Sequence, residues 1–274
     1  MEEMIAKARA AVEAADAVLI TAGAGMGVDS GLPDFRGDEG FWKAYPPIRK
    51  LGYSFVEMAN PRWFDDNPRL AWAFYGHRLH LYRDTVPHEG FAQLLELGKS
   101  KPGGYFVFTS NVDGQFQKAG FSDERIMECH GSIHHMQCSQ NCTESIWTAT
   151  GVDVEIDEER FEAQGRLPLC EYCDAVARPN ILMFGDWGWQ SQRTDDQEMR
   201  MRMWLQDIAN KGHKLVIIES GAGEAVPTVR YTSEGVAREL GGTLIRINPR
   251  DFDVPRGHIG LPYGGMEGVR RLLG

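Results

Sequence analysis

Residues 18–37 read VLITAGAGMGVDSGLPDFRG, an apolar run that passes directly into a turn dense in glycine. The first part of this stretch, Val18-Leu19-Ile20, is typical of a short buried strand. The glycines that follow carry no side chain, so the backbone N–H groups of the turn can approach a phosphate closely. The turn departs from the ordinary dinucleotide fingerprint, because Val28 stands at the third glycine position and no acidic residue follows on a second strand. The stretch therefore predicts a nucleotide-binding turn with an unusual continuation.

The composition is that of an ordinary globular chain. Its 274 residues, 42% of them hydrophobic and 25% charged, suffice for one large domain with a smaller inserted module. The net charge of −10 makes nucleic acid a poor partner, because nucleic-acid binders usually carry a basic surface. An acidic surface would suit a lysine-rich protein substrate, although most acidic surface residues simply contact water.

The sequence offers no membrane or targeting segment. No apolar run approaches the roughly 20 residues that a membrane helix needs. The N-terminal stretch MEEMIAKARAAVEAA is acidic and helix-forming, unlike a signal peptide. We therefore expect a cytoplasmic protein with no membrane partner.

Polar residues follow a second buried run, YFVFT at positions 105–109. Ser110, Asn111 and Asp113 come directly after it, where the carboxyl end of a parallel strand in an open sheet binds ligands. The alternative is that Asn111 and Asp113 only cap a helix at positions 114–119. On the residues alone, both interpretations stay open.

His130 is a candidate general base. It follows a predicted strand and precedes Gly131, so its ring can point into a cleft, and its ordinary pKa near neutrality suits proton transfer. Most isolated histidines are structural, and the residue alone does not decide between the two roles. Strand alternation places Cys129 on the opposite face, which predicts a buried apolar thiol rather than a nucleophile.

Four of the five cysteines form two close pairs, Cys138-x3-Cys142 and Cys170-x2-Cys173, separated by 27 residues. Four soft thiolates at this spacing suit tetrahedral Zn²⁺, and a complete set of four protein ligands predicts a structural site. The acidic segment between the pairs is too polar for a core of its own, so a metal explains how it folds. His134 and His135 are not needed as ligands.

The first stretch resembles the cofactor-binding motif of the sirtuins, NAD-consuming protein deacylases that usually read GAG-x-S-x-x-S-G-I-P-D-F-R. Gly27 replaces the usual Ser, and Leu32 replaces the usual Ile. The family's T-Q-N-I-D is similar to residues 109–113, and its H-G dipeptide is similar to His130-Gly131. The chain matches the first motif at Gly23, Ala24, Gly25, Ser30, Gly31, Pro33, Asp34, Phe35 and Arg36.

The resemblance implies roles for particular residues. It makes His130 the catalytic base and Asn111 a catalytic residue, and it places a zinc module at the four cysteines. It also implies cofactor contacts from Gly23, Ala24, Gly25, Leu32, Pro33, Asp34, Phe35, Arg36, Ser110, Asn111, Asp113, Ser220, Gly221, Ala222 and Asn248. Two stretches depart from the family: residues 221–223, GAG, lack the hydroxyls of the usual Gly-Thr-Ser, and residues 187–189, WGW, replace the leucine-proline of the acyl-lysine site.

Strands alternate with helices along the chain, which predicts an α/β fold. We expect a Rossmann-like, mostly parallel sheet with helices on both faces, plus a small zinc-binding module and a helical insertion. The predicted boundaries are residues 1–133 and 175–274 for the NAD-binding domain, 38–86 for the helical insertion and 134–174 for the zinc module. The aromatic residues of positions 61–82 are expected in a core. Pro46-Pro47 is expected to prevent a helix there.

The resemblance implies an NAD-dependent protein-lysine deacylase with NAD as co-substrate, structural Zn²⁺ and an acyl-lysine protein or peptide as substrate. One alternative uses the same cleavage of NAD as an ADP-ribosyltransferase or NAD glycohydrolase. Another is a non-enzymatic sensor of NAD or ADP-ribose. His130 favours deacylation, because trapping the acyl intermediate needs a base more than simple glycosidic cleavage does.

Overall fold

The computed structural model describes residues 2–34 and 37–274, so the predicted roles of Phe35 and Arg36 lie outside the described residues. None of the described helices combines the length and apolar character that a membrane span requires. The helices of this part of the chain are α1 (Glu2–Ala14), α2 (Gly37–Ala44), α3 (Pro46–Leu51), α4 (Phe55–Met58), α5 (Trp63–Asp66), α6 (Pro68–Asp84), α7 (Glu89–Ser100), α8 (Gln115–Lys118), α9 (Gln192–Asn210), α10 (Thr228–Leu240) and α11 (Gly265–Leu273). The strands are β1 (Ala17–Ala22), β2 (Tyr105–Thr109), β3 (Ile126–Glu128), β4 (Gly131–Cys138), β5 (Trp147–Thr148), β6 (Ile156–Asp157), β7 (Glu162–Ala163), β8 (Ala177–Ile181), β9 (Leu215–Ser220), β10 (Thr243–Ile247) and β11 (Ile259–Leu261).

Six parallel strands form the main sheet in the order β11-β10-β9-β1-β2-β3. The central strands are buried along their whole length, which explains their continuous apolar runs. At the carboxyl edge, Ala22 pairs with Thr109 on one side and with Ser220 on the other. The turns that follow β1, β2 and β9 therefore begin side by side, and they position the candidate site.

Helices cover both faces of this sheet, as predicted. On one face, α1, α7 and α11 enclose a core that includes Val12, Leu94 and Val269. On the other face, α9 and α10 pack against the sheet through residues such as Trp204 and Val236. The α/β prediction is confirmed.

A second core joins the helical segment α2–α6 to the small strands. Trp72 of α6 is fully buried, and its indole N–H donates to the carbonyl of Ala177 at 3.0 Å. Arg83 reaches the carbonyls of Val152 and Ala149 from the same helix, at 2.6 and 2.7 Å. The aromatic residues of α6 lie in this core, as the sequence predicted.

One local prediction is corrected by the structure. The expectation that Pro46-Pro47 would exclude a helix is wrong, because α3 begins at Pro46, where a proline lacks only an N–H that a first helical turn leaves unpaired. Strand β8 pairs antiparallel with β4 in the three-stranded sheet β5-β4-β8 and contributes no strand to the main sheet. The predicted division of the chain into domains stays a prediction.

A buried ion pair links β9 and β10 near their carboxyl ends. Glu219 and Arg246 are register partners and both are wholly buried. The guanidinium donates to both carboxylate oxygens, through Nε to Oε1 and through Nη2 to Oε2 at 3.1 Å. Arg246 also contacts Glu234 of α10 at 2.8 Å. This pair fixes α10 and the two strands in register.

Arg246→Met is expected to lower the free energy of unfolding by about 3–5 kcal/mol, because it leaves the Glu219 carboxylate buried without its cation. The measurement is urea unfolding followed by circular dichroism. Arg238→Met, which removes an exposed arginine from the neighbouring helix α10, should cost less than about 0.5 kcal/mol. Equal losses of unfolding free energy in the two variants would contradict a stabilising role for the Glu219–Arg246 ion pair.

Candidate functional site

The glycine turn after β1 is packed against the turn after β9. Residues Ala24–Ser30 form a 3₁₀ helix, and Gly25 N–H donates to the carbonyl of Gly221 at 3.1 Å. A Cβ on Gly25 would lie 2.7 Å from the Cα of Gly221. Gly221 has a φ of +65°, and a Cβ there would lie 2.2 Å from the backbone nitrogen of Met26. The glycines are therefore required for the contact of two main-chain turns, in addition to any phosphate that binds there.

Gly221→Ala is expected to destabilise the protein by about 2–4 kcal/mol, because it combines a left-handed φ with backbone overlap. Urea unfolding measures the loss, and titration with NAD should show weaker binding. The control is Gly235→Ala in α10, where a Cβ meets no atom within 4 Å. That change should stabilise the helix by about 0.5–1 kcal/mol. A Gly221→Ala variant as stable as the wild type would show that the two turns can separate freely.

The two substitutions within the glycine motif compensate each other sterically. Leu32 is buried, and its Cδ1 lies 3.0 Å from the place where a Cβ on Gly27 would stand. The main chain closes at the same point, because Leu32 N–H donates to the carbonyl of Gly27 at 3.1 Å. The leucine side chain fills the space beside the glycine.

His88 fastens the 3₁₀ helix to α7. Its Nδ1 accepts from Gly90 N–H at 3.1 Å, so the proton lies on Nε2, which donates to the carbonyl of Met26 at 2.9 Å. Its own backbone N–H donates to Ser30 Oγ at 2.9 Å. Asp29 provides a further attachment by accepting from Met266 N–H at the start of α11, at 2.8 Å. The sequence analysis missed both residues, since their partners lie far along the chain.

The residues predicted at the ends of β2 and β3 are brought to this turn. Asn111 Nδ2 donates to the carbonyl of Gly23 at 3.1 Å, and Ser110 N–H donates to the carbonyl of Ala22 at 3.1 Å. Asn111 therefore joins the end of β2 to the end of β1. Among the described contacts, no N–H group of α8 donates to its side chain, so it does not cap that helix. Asp113 does accept from Gln115 N–H at 2.9 Å, so the capping alternative holds for Asp113 alone.

Burial shifts the two titratable groups of this edge in opposite directions. It holds the pKa of His130 below its ordinary value, opposed by a hydrogen bond to the main chain of Ser110. Burial raises the pKa of Asp113 to about 6, with a further upward push from the carboxylate of Glu128. The Gln115 N–H and the cation of Arg78 oppose that rise. The histidine is therefore neutral at neutral pH, as a proton acceptor requires.

Asp113 is supported by the ring of His134 and the cation of Arg78, to which the sequence analysis assigned no role. His134 Nε2 donates to the main-chain carbonyl of Asp113 at 2.9 Å. Arg78 is buried in α6, where its guanidinium donates to the Tyr82 hydroxyl at 3.0 and 3.1 Å. The carbonyl of Tyr82 accepts from the Gln115 side chain at 3.1 Å. A histidine on a strand beside the left-handed Gly114 was the available indication, because only glycine leaves room for the ring.

The predicted residues at the ends of β9 and β10 also meet the glycine turn. Gly23 N–H donates to the carbonyl of Ser220 at 3.0 Å. Asn248 is wholly buried, and its Nδ2 donates to the carbonyl of Ala222 at 2.8 Å. Its Oδ1 accepts from the N–H groups of the second and third residues after it, both at 3.0 Å. Asn248 thus positions two turns, and its predicted contact with a ribose stays a prediction.

The four predicted metal ligands lie together. Their Sγ atoms are all within 4.8 Å of one another, with Cys138–Cys173 and Cys142–Cys170 each at 3.6 Å. A tetrahedron with Zn–S bonds of about 2.3 Å has edges of about 3.8 Å, so the arrangement fits Zn²⁺. Cys129 lies outside this cluster and is half-buried, and desolvation raises the pKa of its thiol to about 12. The predicted grouping of the other four cysteines agrees with this geometry.

Comparison with known proteins decides the family. A model described as Sir2 family matches residues 23–202, about two thirds of the chain. The chain belongs to the Sir2 family. It is 28% identical over 243 residues to a protein of Aquifex aeolicus named NAD-dependent protein deacylase, covering 87% of this chain and 86% of that one. A protein of the same name from Thermus thermophilus is 27% identical over 282 residues, covering 99% and 94%.

Solved Sir2 structures share the fold of this Sir2 protein. One, described as the structural basis for the mechanism and regulation of Sir2 enzymes, superposes with a TM-score of 0.67 at 21% identity, covering 100% of this chain and 97% of that one. A second, of Sir2 with a p53 peptide and NAD+, gives a TM-score of 0.56 at 20% identity, covering 96% and 94%. At these identities the likeness establishes the fold.

The segment that contains the WGW run at residues 187–189 begins beside His130. Leu182 N–H donates to the carbonyl of His130 at 2.9 Å. The buried Asp186 accepts from Arg178 at 2.7 Å and orders the turn that follows. That turn leaves Trp187 completely exposed. The predicted contact of this segment with an acyl-lysine peptide stays a prediction.

Proposed function

We propose that this Sir2 protein is an NAD-dependent protein-lysine deacylase. It transfers the acyl group of a modified lysine to the ADP-ribose of NAD, consumes one water, and releases nicotinamide, free lysine and O-acyl-ADP-ribose. The observation that carries the proposal is the meeting of the glycine turn with Asn111, Asp113 and His130 at one edge of the sheet. The deacylase names of its full-length relatives support it.

NAD supplies an electrophilic ribose carbon, because its nicotinamide leaves as a neutral group. The acyl oxygen of the modified lysine is proposed to attack this carbon, so that a C–O bond forms as the bond to nicotinamide breaks. Asp113 is proposed to accept from the carboxamide N–H of that group, which requires the ionised carboxylate. Asn111 is half-buried beside the glycine turn and is proposed to orient the adjoining ribose or a water. Phe35 and Arg36 are proposed to cover the nicotinamide. Each of these roles is part of the proposal.

His130 is proposed to draw a proton from a ribose hydroxyl, so that the oxygen can attack the carbon of the transferred acyl group. Burial keeps the imidazole neutral at neutral pH, and its bond to the main chain of Ser110 orients the ring. The zinc site has four protein thiolates and no open position, so it stabilises the small sheet and takes no part in this step. Thiolate ligands favour a reducing compartment, which supports the proposed cytoplasmic location.

The test is nicotinamide release from NAD by the purified protein, with and without an acetyl-lysine peptide whose mass is followed. Release that requires the peptide and removes the acetyl mass is expected. Release without the peptide, with no change in peptide mass, would contradict deacylation and favour ADP-ribosyl transfer or NAD hydrolysis. Binding of NAD with no turnover on acetyl, propionyl or succinyl peptides would favour the sensor.

A further inference from the structure

The first two turns of α9 hold every polar group of Glu128 but one. Glu128 is the last residue of β3, and its side chain is 1% exposed. Its main-chain N–H donates to Gln197 Oε1 at 3.0 Å, and its carbonyl accepts from the Thr194 hydroxyl at 3.2 Å. Its carboxylate is ion-paired through Oε2 with Arg193, in the first turn of the same helix. The end of β3 is therefore fixed to α9, two residues before His130.

The second carboxylate oxygen of Glu128 has no such partner. This oxygen, Oε1, is buried, and no group in the described part of the chain donates to it. A buried ion pair with an unsatisfied oxygen adds little stability compared with apolar side chains of the same volume. Packing is therefore a poor explanation for a carboxylate at this position. The property of the group that needs a role is its negative charge.

That charge acts on the carboxylate of Asp113. Strand β3 pairs with β2 so that Glu128 lies opposite Thr109, and the chain reaches Asp113 four residues after Thr109. Both carboxylates are buried, so they repel each other more strongly than two carboxylates in water would. Ionisation of Asp113 is therefore less favourable in the presence of Glu128.

Three other titratable groups of the described residues face Asp113: Arg78 and Tyr82 on α6 and His134 on β4. Burial raises the pKa of the Tyr82 hydroxyl and lowers the pKa of the His134 imidazole, so both are neutral at neutral pH. The guanidinium of Arg78 is charged. Asp113 thus lies between a buried cation on α6 and a buried anion on β3.

We propose that Glu128 and Arg193 are positioning residues, which fix the strand end before His130 and control the charge of Asp113 through one buried carboxylate. Arg193 offsets part of the negative charge of Glu128, so Asp113 can ionise at neutral pH. Asp113 holds the nicotinamide carboxamide only when it is ionised, and the pair therefore determines the pH below which nicotinamide is released from this contact. That effect on the dinucleotide rests on the proposed function, whereas the interaction of the two carboxylates does not.

The experiment is a carbon-13 NMR titration of the full chain between about pH 4 and pH 8, with aspartate and glutamate labelled at their side-chain carboxyl carbons. Four proteins are compared: the wild type, Glu128→Gln, Arg193→Gln and Glu124→Gln. The last is the matched control, because Glu124 is an exposed carboxylate that is paired with Arg200 of the same helix at 3.2 Å. Asp113→Asn identifies the resonance of Asp113, and the midpoint of thermal unfolding verifies the fold of each variant.

Glu128→Gln is expected to lower the titration midpoint of Asp113 by about one pH unit, because it removes the like charge and keeps the shape of the side chain. Arg193→Gln is expected to raise the pH at which the two carboxylates take up their first proton, because both remain and the cation is lost. Glu124→Gln should leave the midpoint unchanged. An unchanged midpoint in Glu128→Gln, or an equal change in Glu124→Gln, would overturn the inference and leave the proposed function standing.

The effect on the dinucleotide is measured by calorimetric titration with NAD and with ADP-ribose, which lacks the nicotinamide, over the same pH range. The affinity for NAD, but not that for ADP-ribose, is expected to decrease below the Asp113 midpoint, and Glu128→Gln should move this decrease to lower pH. A decrease that stays at the wild-type pH in Glu128→Gln would overturn the role of the pair in holding nicotinamide. A wild type that binds neither ligand would overturn the proposed function, while the NMR titration still decides whether Glu128 controls the charge of Asp113.

Discussion

His130→Ala is expected to lower the rate of deacylation by about 10²- to 10⁴-fold while NAD still binds, because the variant lacks the proposed base. The imidazole is the neutral ring that the fold places at the end of β3, beside the main chain of Ser110. The measurement is single-turnover loss of acetyl mass from a peptide with saturating NAD. Nicotinamide release is followed in the same samples.

The pH dependence of the wild type follows from the same residues. Burial holds the pKa of His130 below about 6.5, so the neutral base is present at neutral pH and is lost as the pH falls through its lowered pKa. Asp113 has a raised pKa of about 6, so the carboxylate that would accept from the nicotinamide carboxamide is also lost near that pH. The rate should therefore be constant near pH 7–8 and decrease below about pH 6.

The control is His80→Ala, which removes a histidine paired with Asp153 on the surface of the helical segment. It should leave both rates unchanged. A His130→Ala variant that releases nicotinamide normally but transfers no acyl group would separate cleavage of NAD from the later step. Deacylation at the wild-type rate would refute the role of His130 as base.

The parts of the fold that depend on residues adjacent in the sequence were predictable from the sequence. The run Val18-Leu19-Ile20 and the glycines after it placed the central strand and its turn, because a strand buried on both faces needs an unbroken apolar run. The two cysteine pairs were predictable for a similar reason, since their spacing is set by the geometry of one ion.

Contacts between distant residues explain what the sequence analysis missed. His88 acts on Met26, 62 positions earlier, and nothing in the residues around either one indicates the other. Asn248 is the residue type expected of a ribose ligand. In the structure its side chain forms hydrogen bonds with the carbonyl of Ala222 and with the N–H of Arg250 in the turn that follows it. Strand β8 pairs antiparallel with β4 in the small sheet, and no residue adjacent to β8 in the sequence indicates that partner.

Cys170→Ser is expected to abolish stoichiometric zinc binding and to unfold the small sheet. Structural zinc sites of this kind contribute about 10–16 kcal/mol of binding free energy, which is also folding free energy. The thiol of Cys170 is buried at 3.6 Å from Cys142, so the ion joins the two cysteine pairs at the ends of a 27-residue loop. Zinc per chain, measured by atomic absorption, should fall from one to near zero.

The loss should reach the helical segment, because Trp72 bonds to the carbonyl of Ala177 and Arg83 bonds to that of Val152. Both partners belong to the part of the chain that the zinc site orders, so the first transition of thermal unfolding should move to lower temperature. Cys129→Ser is the matched control, since it removes the fifth thiol and should retain one zinc per chain. A Cys170→Ser protein with full zinc content and the wild-type unfolding midpoint would show that three thiolates suffice, and that the small sheet folds through its own apolar contacts.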